Sequence, residues 1–136
     1  MSKRFEEIED ESGIVLRYRR HQNGRGYVAP SAKVAPTAFI APNAYVESGA
    51  RVGAEAHIAA GSWIDAGATI GDRTVVGSNV HVGKGCAIGG GVVIGSHARL
   101  GENVVVAPSA RIARDESVPS GSRIAGRGPR GARRAA

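Results

Sequence analysis

Residues 27–46 read YVAPSAKVAPTAFIAPNAYV, with Val28, Val34, Ile40 and Val46 six residues apart and Ala-Pro after the first three. A helix repeats its faces every 3.6 residues and a strand every two, so neither alone produces this spacing. The period continues through Val52, Ile58, Ile64, Ile70, Val76, Val82, Ile88, Ile94, Leu100, Val106, Ile112, Val118 and Ile124. Every sixth position from 28 to 124 is aliphatic, without a slip.

Two residues before each aliphatic the side chain is mostly small, as at Ala32, Ala38, Ala44, Ser62, Thr74 and Cys86. The residue just after it is usually small or turn-forming, as at Ala29, Gly53, Gly71, Gly83 and Gly101. Such a hexad reads as a short strand with two inward side chains and a corner. One hexad cannot bury its inward side chains alone, so copies must stack as a solenoid. Three flat faces close a triangular coil of 18 residues, and the seventeen hexads give between five and six coils. At the spacing of paired strands, roughly 4.8 Å per coil, the prism is on the order of 27 Å long.

The tandem pattern over about residues 27–127 resembles the hexapeptide-repeat family, which includes many acyltransferases and the γ-class carbonic anhydrases. The resemblance implies an all-β fold, a single-stranded left-handed parallel β-helix. The hand comes from the resemblance, because periodicity does not encode it and parallel crossovers are usually right-handed. The expected organisation is an N-terminal segment over residues 1–25, the β-helix over 26–127 and a basic, disordered tail over 128–136. The N-terminal segment is read as a flexible acidic start followed by a capping strand at about 14–20. In GIVLRYRRH, residues 13–21, Ile14, Leu16 and Tyr18 alternate with Val15, Arg17 and Arg19, giving a strand one apolar side with which to cover a solenoid edge.

The net charge of +6 is carried by the ends. Residues 26–122 hold seven basic and seven acidic residues, while Glu6, Glu7, Glu9, Asp10 and Glu11 make the start acidic and Arg123, Arg127, Arg130, Arg133 and Arg134 make the end basic. This describes charged appendages, not a basic binding face. The terminal arginines lack interleaved aromatics and imply no specific nucleic-acid partner. The single cysteine, Cys86, excludes an intramolecular disulfide framework. No apolar run approaches the ~18 residues of a membrane span, and MSKRFEEIEDESG turns acidic where a signal peptide needs its apolar segment. The expectation is a cytoplasmic protein with no membrane partner.

With 18 residues per coil, the residue before each core aliphatic forms an outward ladder on each face. The first face carries Tyr27, Tyr45, Trp63, His81, Arg99 and Ser117. The second carries Lys33, Arg51, Thr69, Ala87, Val105 and Arg123, and the third Phe39, His57, Val75, Val93 and Arg111. Exposed apolar ladders mark interfaces. Tyr27, Phe39, Tyr45, Trp63, Val75 and Val93 are therefore expected to meet sister chains, in keeping with the parallel homotrimers typical of the resembled family. Two rival readings of the aromatic column stay open: a ligand groove, or a surface covered by the N-terminal segment.

Acyltransferases of that family use a histidine as general base, which suits a side chain that titrates near neutrality. The candidates inside the repeat are His57, His81 and His97. His97 stacks over Asn79 at a corner and His81 follows Asn79 by two residues, so Asn79, His81 and His97 form the expected outward cluster, about 8 Å across. The competing assignment is a solvated polar corner. A zinc site of the carbonic-anhydrase kind needs histidines about five residues apart, and the spacings here are 24 and 16, so no metal is expected. The end, ARDESVPSGSRIAGRGPRGARR over 113–134, resembles the closing coil of hexapeptide acyltransferases. Val118, Pro119, Ser122, Gly126, Pro129 and Arg130 match its form, while Gly128 and the displaced Pro129 depart from it. The resemblance implies Arg127 and Arg130 as contacts for coenzyme A phosphates.

The unbroken repeat leaves no loop to cover an acceptor and exclude water. The leading expectation is therefore a homotrimeric structural or binding module of acyltransferase ancestry without a cofactor. The alternative is an acyl-coenzyme-A-dependent O- or N-acyltransferase with an intersubunit site and acyl-coenzyme A as substrate. A third reading is end-to-end stacking into filaments, since solenoid ends expose strand edges and the two ends carry opposite charge.

Overall fold

The structure is a computed structural model that describes residues 5–9 and 15–126. The expectations placed on the rest of the acidic start, on Arg127 and Arg130, and on the tail lie outside the described residues. Two longer strands come first, β1 (Phe5–Glu9) and β2 (Val15–Arg20). Seventeen two-residue strands follow, from β3 (Tyr27–Val28) to β19 (Arg123–Ile124), each six residues after the last. Among the described residues there is no helix.

Every third short strand pairs in parallel, so Tyr27 lies beside Tyr45, Val28 beside Val46 and Trp63 beside His81. Three sheets result, and the chain is a parallel β-solenoid of about five coils with 18 residues per turn. Each strand pairs one outward with one inward residue. The inward aliphatics are buried at every coil except the half-buried Val34 and Ile124 near the two ends. The small inward residues of the corners, from Ala32 to Ala110, are buried beside them.

The polar members of that inner set hydrogen-bond to a neighbouring coil. The Ser62 hydroxyl donates to the Gly77 carbonyl and accepts from the Val80 amide at 3.0 Å. Thr74 repeats the arrangement with the Gly89 carbonyl and the Val92 amide. Among the described residues no buried side-chain nitrogen or oxygen lacks a partner, as burial of polar groups demands.

From the third hexad on, the corner takes its shape from a left-handed backbone residue three after the core aliphatic. From Asn43 to Gly121 every sixth residue has positive φ, among them Asn79 at 55° and His97 at 67°. Glycine and asparagine fill most of these positions, as the sterics of that region favour. The glycine directly after a core aliphatic serves another purpose. A Cβ on Gly83 would lie 2.4 Å from the Gly101 carbonyl oxygen, so this position is held small by the approach of the next coil.

The first coil is covered from below. β2 pairs antiparallel with β3, setting Arg20 beside Tyr27, and β1 pairs antiparallel with β2. Part of the stretch expected as a flexible acidic start is thus a strand. The register sets Glu7 opposite Arg17 and Phe5 opposite Arg19. The turn after β2 closes a second edge. The Gly26 amide donates to the Ile40 carbonyl, the Ile40 amide to the Asn23 carbonyl, and the buried His21 ring bonds the Ala38 carbonyl at 2.8 Å.

Candidate functional site

The first face is where chemistry collects. Of the seventeen residues that directly follow a core aliphatic, fifteen are Gly, Ala or Pro, and the two departures are Glu47 and Asp65. They are 18 residues apart and therefore occupy the same corner on successive coils. Each carboxylate accepts a hydrogen bond from a ring nitrogen 16 residues on, one coil higher. Trp63 Nε1 donates to Glu47 Oε2 at 2.8 Å, and His81 Nε2 lies 3.1 Å from Asp65 Oδ2. A carboxylate can only accept, so Nε2 of His81 carries the hydrogen of this contact, and in the neutral ring Nδ1 is the nitrogen with the lone pair. The other Asp65 oxygen accepts the Ala66 amide at 2.7 Å.

The two units touch. The Trp63 and His81 rings stack with centroids 4.3 Å apart and planes 11° apart. Below them Tyr27 and Tyr45 stack at 4.7 Å, and Tyr18 from β2 meets both edge-on, at 6.3 and 5.7 Å. The Tyr18 hydroxyl donates to Glu47 Oε1 at 2.5 Å. Arg20 lies 4.3 Å over the Tyr27 ring and donates to its hydroxyl. Tyr27 and Tyr45 are consequently half-buried within their own chain, which is the covering by the N-terminal segment considered above. Trp63 remains 43% exposed.

Above Asp65 the corner ladder changes to Gly83 and Gly101, and the absence of side chains there opens a groove of about 470 Å³. Asp65, His81, Lys84, Arg99, Glu102, Ser117 and Ser120 line it. Asp65 is 8% exposed and His81 half-buried, so the imidazole stands between a nearly buried carboxylate and open space. A second groove on the second face, between Lys33, Arg51, Thr69 and Asp72, holds no histidine, serine or cysteine.

Asn79 and His97 are exposed at the corner beside this face. The hydrogen bond and ring contact of His81 go to Asp65 and Trp63, not to either of them. His57 on the third face stacks on Phe39 at 4.7 Å. Phe39 and Val93 are half-buried, whereas Val75 is 41% exposed. Cys86 is buried, burial pushes its thiol up, and it donates to the Gly101 carbonyl, so it is no nucleophile. Among the described residues no three His, Cys, Asp or Glu side chains gather as a metal-binding group, and no helix is long and apolar enough to cross a membrane.

Sequence reasoning singled out His81 but not its carboxylate neighbour Asp65, nor Glu47 one coil below. Their signal was available, since they are the two breaks in an otherwise small-residue corner position.

Comparison with known proteins agrees with the fold. The family described as bacterial transferase hexapeptide (six repeats) matches residues 79–114. No curated protein matches the chain. Among solved structures, PerB from Caulobacter crescentus in complex with CoA and GDP-perosamine is 27% identical with a TM-score of 0.64, over 73% of this chain and 53% of that one. Two further structures of that perosamine N-acetyltransferase carry a histidine replaced by asparagine or by alanine. The acetyltransferase domain of PglB from Neisseria gonorrhoeae, in complex with acetyl coenzyme A, is 23% identical with a TM-score of 0.54, over 73% of this chain and 53% of that one. The chain thus spans about half the length of these solved relatives.

Proposed function

From the premise that the chain carries the hexapeptide repeat of bacterial transferases, we propose that it is an acyl-coenzyme-A-dependent acyltransferase unit whose general base is His81, oriented by Asp65. The observation that carries this reading is the His81 Nε2 contact with Asp65 Oδ2 at the mouth of an open groove. With Nε2–H committed to Asp65, Nδ1 is the atom that takes a proton. It removes it from an acceptor hydroxyl or amine as that oxygen or nitrogen attacks the thioester carbonyl. The carbon–sulfur bond then breaks, the acyl group passes to the acceptor, and the proton leaves with the coenzyme thiol. Asp65 stabilises the imidazolium formed in between, the part a buried carboxylate plays beside a catalytic histidine.

Lys84 and Arg99 offer cationic contacts to an anionic donor within a groove whose lining they share with the carboxylates Asp65 and Glu102. Arg127 and Arg130 extend that role to the coenzyme phosphates in this reading. Asn79 and His97, at the adjacent corner, would border the acceptor. The groove is open on the single chain, and a sister chain in a homotrimer would wall it. Trp63 on this face and Val75 and Val93 on the third supply apolar surface for such an assembly, with Tyr27, Tyr45 and Phe39 at its edge.

The test is isothermal titration with acetyl-coenzyme A together with thiol release across hydroxyl and amine acceptors. Binding in the parent together with turnover that vanishes in His81→Ala supports the proposal, while absence of both binding and turnover in the parent chain overturns it.

One observation favours a second reading, a structural or binding module of the same ancestry. The repeat runs from Tyr27 to Ile124 without an inserted loop, so nothing within the repeat closes over an acceptor. An assembled oligomer without coenzyme binding would establish it. Coil-end stacking is the remaining form of assembly, and filaments visible by electron microscopy would reveal it.

A further inference from the structure

The side chains that hold the Trp63 ring lie outside the groove, and one of them belongs to the strand that precedes the solenoid. Tyr18 is buried and reaches across the Tyr27 and Tyr45 rings to Glu47. Glu47 is half-buried and receives a donor on each oxygen: the Tyr18 hydroxyl on Oε1 and the Trp63 indole on Oε2. The indole thereby has one edge fixed, and its face carries the His81 ring at 4.3 Å. His81 is then held from two directions, by Trp63 through its ring face and by Asp65 through Nε2.

We propose that Glu47 and Tyr18 are positioning residues for His81, so that docking of β2 on the first coil sets the orientation of the imidazole toward Asp65. The inference rests on the reading of His81 as the base, and it extends that reading to a strand that does not touch the groove. The physical reason is rotational freedom. An indole anchored at its Nε1 edge cannot swing about its χ angles, and a ring stacked on a fixed plate keeps its Nε2–H on the carboxylate. Release of either anchor of Glu47 frees the plate, and the imidazole exchanges tautomers and ring flips that a well-placed base must not sample. Phe39 and His57 provide an internal control. Their rings stack at a comparable 4.7 Å on the third face, yet no hydrogen bond from a ring nitrogen to a carboxylate fixes either ring.

The experiment uses the full chain with Tyr18→Phe, which removes one oxygen, and separately Glu47→Gln, which keeps the shape and leaves one acceptor oxygen for two donors. Nitrogen NMR of the imidazole, at a pH above the ordinary histidine range, reads the tautomer of His81. The expected result is an Nε2–H tautomer that dominates in the parent and mixes with Nδ1–H in both variants, while the His57 signal stays as it was. In the acyl-transfer assay the variants should lose on the order of tenfold in kcat with KM for the coenzyme kept, as misorientation of a base predicts. An unchanged His81 tautomer in both variants overturns the inference. A tautomer change in the variants, with a parent chain that transfers no acyl group, overturns the transferase reading alone and leaves the positioning role standing.

Discussion

Trp63 and His81, one coil apart on the first face, lie nearly parallel with ring centroids 4.3 Å apart. Each also bonds a carboxylate 16 residues earlier, so the same corner-to-strand contact is made twice in succession. Trp63 is the chain's single tryptophan. Its emission is therefore a direct report on His81, and His81→Leu should brighten it by removing a quenching partner, while Phe39→Leu on another face should leave it unchanged. Steady-state fluorescence of the folded variants checks this.

Asp65→Asn tests the carboxylate apart from the fold. The amide keeps the size of the side chain and can still bond the ring, but it permits the other tautomer and does not stabilise an imidazolium. The expected outcome is a loss of about 10²-fold or more in kcat at little change in melting temperature. Equal kcat in the variant and the parent would remove Asp65 from the mechanism.

His97 provides the contrast. It occupies a left-handed turn position at φ 67°, which costs an ordinary residue about 1 kcal/mol and asparagine less. His97→Asn should keep or raise stability, by up to about 1 kcal/mol, and should cost far less turnover than His81→Ala. A loss of turnover in this variant, with His81→Ala still active, would move the base from His81 to His97.

The cap over the first coil should be sensitive to acid. His21 is 7% exposed and burial holds its pKa below the ordinary value, against the opposing pull of its Ala38 contact. As pH falls below about 6.5 the unfolded chain takes up a proton at this ring before the folded chain does. Stability therefore drops through that range, and the drop continues until the folded ring protonates as well. Thermal melts between neutral and mildly acid pH should show a steeper decline in the parent than in His21→Gln. Parallel declines would show that His21 contributes nothing.

Assembly can be read from Val75, which is 41% exposed on the third face. If copies pack there, Val75→Asp places a charge in the contact and should shift sedimentation from a trimer toward the monomer. A parent chain that sediments as a monomer would end the homotrimer reading.

Much of the fold was legible because the period of six is a local property. Whether Val46 or Ile64 points inward follows from the strand's alternation, and the 18-residue coil follows from three such strands, without knowledge of distant neighbours. The ladders Tyr27, Tyr45, Trp63 and His81 could be written down on that basis, and the parallel register matches them. The covering of Tyr27 and Tyr45 was harder to read. The apolar side of residues 14–18 suggested that β2 packs on something, but its antiparallel pairing on β3 selects the first face, and only then does Tyr18 reach Glu47.

By itself, then, the sequence determined the solenoid, its core and which side chains face outward, since each of these depends on spacing along the chain. Tertiary structure decided the partners of His81. Asp65 lies 16 residues before it and Trp63 18, and the two come together only because each coil closes back on the last. Glycines at 83 and 101 open the groove, and carboxylates at 47 and 65 fill the same corner below it. That contrast acquires chemical meaning only when the coils are stacked, because a ring nitrogen and a carboxylate interact over about 3 Å of space and not over a distance in sequence.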